Sequence, residues 1–234
     1  EIHPAWILEK LKKESPRIIG VILRSLSSKH VRYILKNLSP MIRAQLPSLI
    51  ESFSVQQPVM ELIRQNFEKH FLPMRISHGP TQICFDKLYF LKGDDLNELI
   101  KDIGMTELAI ALCGLSGKSI YAVLNRLDFK DAKRIQKRMK ELSNISPWLF
   151  RQARFTVLEV EASHIGPDKM FTRLGLAVLA EAIDEDSVSL LPLIRQRLEP
   201  VDAYLFKRFY DECRSRVKSD ISEERQTLIM ESVF

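Results

Sequence analysis

The sequence predicts an all-α fold of short, stacked helices, and three observations lead to that prediction. Apolar residues recur at the three- and four-residue spacing of amphipathic helices. An example is the run formed by Ile18, Ile19, Ile22, Leu23 and Leu26. Glycine is scarce, with 8 among 234 residues, and part of the chain repeats itself. Only residues 82–91 have a strand-like composition, and this short, isolated stretch is expected to be helix or loop.

The repeat relates residues 23–58 to residues 112–147, which lie 89 positions further along, without a gap. Its matched leucines are Leu23 with Leu112, Leu26 with Leu115, Leu35 with Leu124 and Leu38 with Leu127, and the first member of each pair is expected to face a shared core. Ser27 and Ser116 stand at the N-cap positions of two short helices, and Ser39 and Asp128 open the helices that follow. Because such units cannot bury an apolar face alone, we expect them to stack into an armadillo-like array of two or more modules.

Breaks in the helical pattern divide the chain into four segments. Residues 1–75 form a first helical module, and residues 76–93, which include a Ser-His-Gly-Pro sequence, form a linker or hinge. Residues 94–160 form the second armadillo-like module. Residues 161–234 form a C-terminal helical extension to which no motif assigns a role. Its helical stretches are centred on residues 171–183, 187–198 and 201–216.

Composition predicts a soluble protein. Hydrophobic residues make up 45% and charged residues 28%, and no apolar run approaches the roughly 20 residues that span a bilayer. The first twelve residues lack the pattern of a secretory leader, and the cysteines, Cys84, Cys113 and Cys213, are odd in number and far apart. We therefore expect the reducing cytoplasm. The net charge of +5 is a mild excess, which makes nucleic acid an unlikely general partner.

Two segments carry a family resemblance. Residues 11–26 include Glu14-Ser15-Pro16-Arg17 ahead of an apolar helix, and residues 108–116 read Leu-Ala-Ile-Ala-Leu-Cys-Gly-Leu-Ser. The first resembles the Glu-His-Pro-Gln signature in the middle domain of the flagellar rotor switch protein FliG family, with the glutamate and the proline kept. The second resembles that family's Leu-Ala-Leu-Ala-Leu-Lys-Gly-Ala stretch. Residues 82–85 stand where the family has its Met-Phe-x-Phe hinge, so the resemblance covers roughly residues 7–160.

The resemblance implies a right-handed superhelix of armadillo-like modules and a non-enzymatic scaffold or adaptor. Such a protein would link a membrane ring to cytoplasmic components of a flagellar or type III secretion apparatus, at the inner face of the cytoplasmic membrane. The implied partners are a membrane-ring protein, a switch-type protein that contacts Glu14, Pro16 and Arg17, and further copies of the chain. Contact with the membrane would pass through these partners, and no cofactor is implied.

The resemblance also argues against torque generation. The family's torque helix alternates cations with a pair of aspartates. In this chain the aspartate pair is replaced by Lys137 and Arg138, the family's arginine stays cationic as Lys130, and its lysine before Gly114 becomes Cys113. The alternation of sign is lost.

Other motifs do not support catalysis. Residues 114–119 resemble a phosphate-binding loop, but the first glycine that the motif requires is Leu112, so we expect a turn between helices. The acidic groups Asp94-Asp95 and 184–186 are expected at helix beginnings. The five histidines, His3, His30, His70, His78 and His164, lack metal-ligand spacing, and the aromatic residues Trp6, Trp148 and Phe150 are expected to pack in cores. We therefore predict no enzyme, metal or cofactor.

One charged face stands out. Its residues, at the spacing of one helical side, are Lys130, Lys133, Arg134, Lys137 and Arg138. The opposite apolar stripe is expected to contain Phe129, Ala132, Ile135, Met139 and Leu142. Only Asp131 and Glu141 are expected to relieve the mutual repulsion. The face is either an ordinary solvated surface or a docking surface for an acidic partner. Two alternatives remain open, a generic helical-repeat protein-binding module and a binder of nucleic acid or anionic surfaces through this basic helix.

Overall fold

The chain is all-α in its described parts. The computed structural model describes residues 1–51, 55–73, 85, 88, 91–142, 145–161, 167–214 and 219–233. Over these residues it contains helices and no strand, which confirms the predicted class. The helices are α1 (Pro4–Leu11), α2 (Pro16–Ser25), α3 (Ser28–Asn37), α4 (Pro40–Glu51), α5 (Gln57–Glu68), α6 (Gly93–Leu112), α7 (Gly117–Leu124), α8 (Phe129–Glu141), α9 (Pro147–Glu161), α10 (Pro167–Glu181), α11 (Leu190–Arg195), α12 (Pro200–Arg214) and α13 (Ser219–Val233). None of the described helices combines the length and the apolar character needed to cross a bilayer.

The chain divides into two units. Unit 1 contains Glu1–Pro80 together with Gln196–Pro200, and unit 2 contains Thr81–Arg195 together with Val201–Phe234. Of the predicted hinge at residues 76–93, the structure describes only residues 85, 88 and 91–93. The module boundaries at residues 75, 93 and 160 stay predictions.

Unit 1 has a core to which α1 to α5 all contribute. Its buried members are Ile7, Leu8, Leu11, Ile19, Ile22, Leu23, Ile34, Leu38, Leu46 and Phe67. Leu23 and Leu38 are buried and Leu26 and Leu35 pack against the same core, as the repeat predicts. Segment 196–200 joins this unit through one side-chain and one backbone hydrogen bond to its backbone carbonyl oxygens. The Trp6 indole N–H donates to the Leu198 carbonyl oxygen at 2.9 Å, and the His3 N–H donates to the Gln196 carbonyl oxygen at 2.9 Å.

The predicted N-caps are confirmed. The hydroxyl oxygen of Ser27 accepts from the His30 N–H at 3.4 Å, and that of Ser116 accepts from the Ser119 N–H at 3.3 Å. Asp128 precedes α8 without a capping hydrogen bond from its side chain. Helices α3 and α7 begin at residues 28 and 117, and α4 and α8 begin at residues 40 and 129, so both pairs of starts are 89 residues apart. Helix starts therefore recur at the offset of the sequence repeat.

Unit 2 is organised around α6, which packs against α8, α9, α10 and α13. Helix α6 is 20 residues long and is buried on most of its C-terminal half. Its tightest neighbour is α10. A Cβ atom on Gly104 would overlap the Phe171 carbonyl oxygen, and one on Gly175 would overlap the Ile100 carbonyl oxygen. Glycine at both positions lets the two backbones touch.

The C-terminal region differs from expectation in two places. Helix α13 was not among the predicted helical stretches, because its apolar positions are interrupted by charged residues. Asp184 precedes a turn that contains Glu185 and Asp186, and none of these acids begins a helix, since α11 starts only at Leu190. The Asp184 carboxylate accepts from the Ser187 N–H at 2.8 Å and from its hydroxyl at 2.6 Å, which closes the turn. Asp94 and Asp95 do lie in the first turn of α6.

Candidate partner-binding surfaces

The predicted basic face lies on α8, and four of its five cations are exposed. Lys130, Lys133, Arg134 and Lys137 point away from the core, and the Lys137 side chain is 77% exposed. Ile135 is fully buried and anchors the inner side of α8. The cationic side of this amphipathic helix therefore faces outward.

Arg138 does not belong to the exposed face. Its side chain is only 22% exposed and points to α6. One terminal nitrogen donates to the Asp102 carbonyl oxygen at 2.5 Å and to the Thr106 hydroxyl at 2.7 Å, and the other donates to the Asp102 carboxylate. The prediction that Arg138 offers its charge to a partner is therefore wrong, because this guanidinium ties α8 to α6.

Phe129 also differs from the predicted pattern. Ala132, Met139 and Leu142 are half-buried on the inner stripe, but Phe129 is 81% exposed. It is the first residue of α8, where the helix has not yet reached a neighbour that could cover it. Phe129 and Lys133 are four residues apart and so share one side of the helix. The exposed surface thus combines an aromatic ring with lysines, and we call Phe129, Lys130, Lys133 and Lys137 the α8 face.

Carboxylates of α6 reduce the positive charge beside Arg134. The charged lining of a cleft of about 560 Å³ consists of Arg134 of α8 and of Asp95, Glu98, Lys101 and Asp102 of α6. Glu141 lies 3.5 Å from the Lys137 ammonium group. The expectation that only Asp131 and Glu141 offset the cations is therefore wrong, since α6 supplies three more carboxylates.

The second predicted site is the start of α2 in unit 1. Ser15 is the N-cap, with its hydroxyl oxygen accepting from the Ile18 N–H at 3.5 Å, and Pro16 is the first helical residue. Glu14 is half-buried and Arg17 is exposed. The three predicted contact residues, Glu14, Pro16 and Arg17, therefore lie together at one helix N-terminus, where Arg17 is the side chain most open to a partner.

The glycine-rich stretch 114–119 connects α6 to α7. Gly114 has φ of 76° at the end of α6, and Ser116 caps α7, so the predicted helix-connecting turn is confirmed. Arg154 of α9 covers this end of α6: its Nε donates to the Ala111 carbonyl oxygen at 3.1 Å and its Nη2 to the Cys113 carbonyl oxygen at 2.8 Å. A cation at a helix C-terminus satisfies orphan carbonyls and offsets the helix dipole. Burial raises the pKa of the Cys113 thiol, and the charge of Arg154 opposes that shift.

An apolar groove of about 450 Å³ opens beside this helix end. Its walls come from the end of α6, from α7, from α9 and from the start of α10. We call it the α6–α9 groove. The sequence did not indicate it, because its lining residues come from four helices.

A buried ion cluster, also missed from the sequence, connects three helices of unit 2. The Arg225 guanidinium of α13 is fully buried and donates to both Glu107 carboxylate oxygens, at 2.6 and 2.7 Å. Its Nε donates to Glu181 of α10 at 2.8 Å, and the Gln152 amide donates to the other Glu181 oxygen at 2.7 Å. A sequence signal existed: Glu107 is the only charged residue between Gly104 and Gly114. Burial raises the pKa of Glu107, and Arg225 opposes the shift.

The described histidines make capping, hydrogen-bond or ring contacts within the fold. His3 caps α1 by accepting from the Ala5 N–H at 3.3 Å. The His30 ring bonds to the Ser27 hydroxyl at 2.6 Å and to the Ile2 carbonyl oxygen at 2.9 Å, and His70 makes an edge contact with Phe67. His78 and His164 lie outside the described residues. Among the residues that the structure describes, no cluster of three or more His, Cys, Asp or Glu side chains is arranged to hold a metal ion.

Comparison of the chain with protein-family models, with curated proteins and with solved structures finds no significant match.

Proposed function

We propose that the chain is a FliG-like scaffold or adaptor that works by docking other proteins, without catalysis and without torque generation. The observation that carries the proposal is the α8 face, on which exposed lysines stand beside an exposed aromatic ring. Aromatic anchors combined with cations are enriched at protein interfaces, where the ring supplies buried area and the charges supply orientation and specificity. Its partner would present an acidic surface with an apolar pocket for Phe129.

The armadillo-like arrangement is part of the proposal. It is supported by the coincidence of helix starts and serine caps at the 89-residue offset. Repeated helical units present extended surfaces and act through their side chains, which suits an adaptor. We infer a second docking edge at Glu14, Pro16 and Arg17, because Arg17 is exposed at a rigid, proline-started helix N-terminus.

The resemblance to the FliG family suggests the setting. A membrane-ring protein and a switch-type protein of a flagellar or type III secretion apparatus would be the partners, at the cytoplasmic face of the membrane. The α8 face would then be a static contact, because it lacks the alternating charges of the family's torque helix. Nearby carboxylates come both from α6, at the cleft beside Arg134, and from Glu141 of α8 beside Lys137, so cations remain in excess on α8 without an aspartate pair.

A nucleic-acid function is less well supported. Polyanions are bound by continuous cationic surfaces, and the carboxylates of Asp95, Glu98 and Asp102 share a cleft with Arg134. They would repel a phosphate backbone that follows α8. Binding to duplex DNA with a steep salt dependence would favour this alternative over the adaptor.

The adaptor proposal is tested by a variant with Lys130, Lys133 and Lys137 changed to glutamine. Arg138 is left intact because it supports the fold. Exposed ion pairs contribute about 0.2–1 kcal/mol each, so the triple change should weaken capture of the ring or switch-type protein of the same cell by about 3- to 100-fold. Binding is measured with purified proteins at about 50 mM and about 200 mM salt.

The matched control changes three exposed lysines of unit 1 that do not flank Glu14, Pro16 or Arg17 in sequence, namely Lys29, Lys36 and Lys69, to glutamine. It removes the same net charge from the chain and should leave capture unchanged. A Phe129→Ala variant tests the apolar part of the contact at both salt levels. Equal capture by the parent, the triple α8 variant and Phe129→Ala would refute docking through the α8 face.

A further inference from the structure

The α6–α9 groove has an apolar floor and an unusually exposed apolar rim. Its floor includes Leu108 and Leu112, which are buried, whereas at its edge Leu115 is 37% and Leu158 is 64% exposed. Phe155 lies one helical turn before Leu158 on α9 and is 47% exposed. Large apolar side chains that cluster around an open groove mark binding surfaces in soluble proteins.

Among the described residues that line the groove, the charged ones are both cations, Arg126 and Arg154. Arg154 donates two of its N–H groups to carbonyl oxygens of α6, which fixes its position at the groove. Arg126 is exposed. A partner that brings carboxylates to this rim would meet complementary charge.

The shape favours a helix over a small ligand. Binding pockets for small molecules enclose most of the ligand surface, but here Leu158 would remain on the edge of any molecule that fills only the groove. A partner helix covers both a groove and its rim, because apolar residues at i, i+3, i+4 and i+7 form one continuous stripe. Packing of a helix into a groove between helices also follows the ordinary ridge-and-groove geometry.

We propose that the α6–α9 groove is a docking site for an acidic amphipathic helix of a partner protein. The apolar stripe of that helix lies against Leu112, Leu115 and Leu158, and its flanking glutamates or aspartates face Arg126 and Arg154. The site shares no residue with the α8 face, so this proposal can be tested independently of the function proposed above.

The test uses the full chain and a synthetic helical peptide as the probe. The peptide carries leucines at i, i+3, i+4 and i+7 and glutamates on its flanks, and a second peptide replaces every glutamate with lysine. Binding is measured by fluorescence anisotropy. The acidic peptide should bind at least ten-fold more tightly than the basic one, and Leu158→Asp should weaken acidic-peptide binding at least ten-fold. The matched control is Leu62→Asp on α5, where the leucine is similarly exposed at 66%. This control should leave acidic-peptide binding unchanged.

Arg126→Glu supplies a test of charge that does not depend on the apolar contact. This change should weaken binding of the acidic peptide and strengthen binding of the basic peptide, each by about five-fold. The proposal is overturned if the two peptides bind equally, if neither binds, or if Leu158→Asp and Leu62→Asp behave alike. It is also overturned if sedimentation shows a dimer of the parent that Leu158→Asp abolishes, or if dodecanoate displaces the peptide by filling the groove, because the occupant is then a second copy or an apolar acid.

Discussion

Gly104 of α6 and Gly175 of α10 lie at the crossing of the two helices, where neither position has room for a side chain. A Cβ on Gly104 would come within 3.0 Å of the Gly175 backbone nitrogen and would overlap the Phe171 carbonyl oxygen. The obstacle in each case is a backbone atom, which cannot turn away as a side chain can. The contact therefore fixes the distance between the two central helices of unit 2.

Gly175→Ala should destabilise the protein despite the better helix propensity of alanine. Overpacking costs about 1–3 kcal/mol or more, whereas replacing a helical glycine with alanine gains only about 1 kcal/mol. Gly20→Ala is the matched control, since a Cβ on this buried helical glycine of α2 would meet no atom within 4 Å. It should stabilise by about 0.5–1 kcal/mol. Urea unfolding of both variants measures the two effects, and a loss of stability in Gly20→Ala alone would contradict the packing.

Arg225→Met should be among the most damaging single changes in unit 2. It leaves Glu107 and Glu181 buried without their cation, and breaking a buried ion pair in this way costs about 3–5 kcal/mol. Glu107→Gln should cost less, because the amide keeps a hydrogen-bond acceptor for Arg225 while Glu181 still supplies a negative charge. Thermal unfolding of the two variants measures their losses of stability. Equal losses would mean that removing the guanidinium is no more damaging than removing the charge of Glu107.

Glu107 should also give stability a measurable pH dependence. Burial raises its pKa above the ordinary value of 4.5 in the folded protein, with Arg225 opposing and the nearby Glu181 adding to the shift. At pH values between the unfolded pKa and the raised folded pKa, this carboxyl group therefore binds a proton more often in the folded state than in the unfolded state. The contribution of this group is complete below about pH 4.5 and is lost as the pH rises through the raised pKa.

The measurement is the free energy of unfolding between about pH 5 and pH 8 for the parent and for Glu107→Gln. The difference between the two proteins isolates this one carboxyl group from all others that titrate. The parent should lose stability relative to the variant as the pH rises. A constant difference, or one of the opposite sign, would show that Glu107 is ionised throughout.

Arg138→Ala should separate the structural cation of α8 from its exposed ones. It removes the bonds to Asp102 and Thr106 and should cost about 1–2 kcal/mol, since both partners stay partly accessible to water. Lys133→Ala on the exposed side should change stability by less than about 0.5 kcal/mol. Chemical denaturation compares the stability of the two variants. Equal stability would show that Arg138 contributes no more to the fold than an exposed lysine does.

The features that could be predicted from the sequence depend on neighbours along the chain. A serine cap needs only the N–H three residues later, and both predicted caps are formed, at Ser27 and at Ser116. The spacing of the apolar residues in α2 likewise predicts which side of that helix faces the core. Such features involve at most one or two helical turns, so a periodic pattern specifies them.

The features that could not be predicted depend on residues distant in sequence. Asp102, which turns Arg138 inward, lies 36 residues before it, and Glu107 lies 118 residues before Arg225. Phe129 matches the apolar pattern yet is exposed, because no neighbouring helix covers the start of α8. The spacing of one helix gives the side on which a residue lies, but only packing decides what that side meets.

Segment 196–200 has a consequence for how the protein is made. It belongs to unit 1, where the Leu198 carbonyl accepts from Trp6 across 192 residues of chain, yet it follows all of α6 to α11 in the order of synthesis. A ribosome emits residues in order, and N-terminal domains commonly fold first. Here the first unit cannot be completed until most of the second has emerged, so a truncated product that ends before residue 196 would lack the carbonyl oxygens that accept from His3 and Trp6.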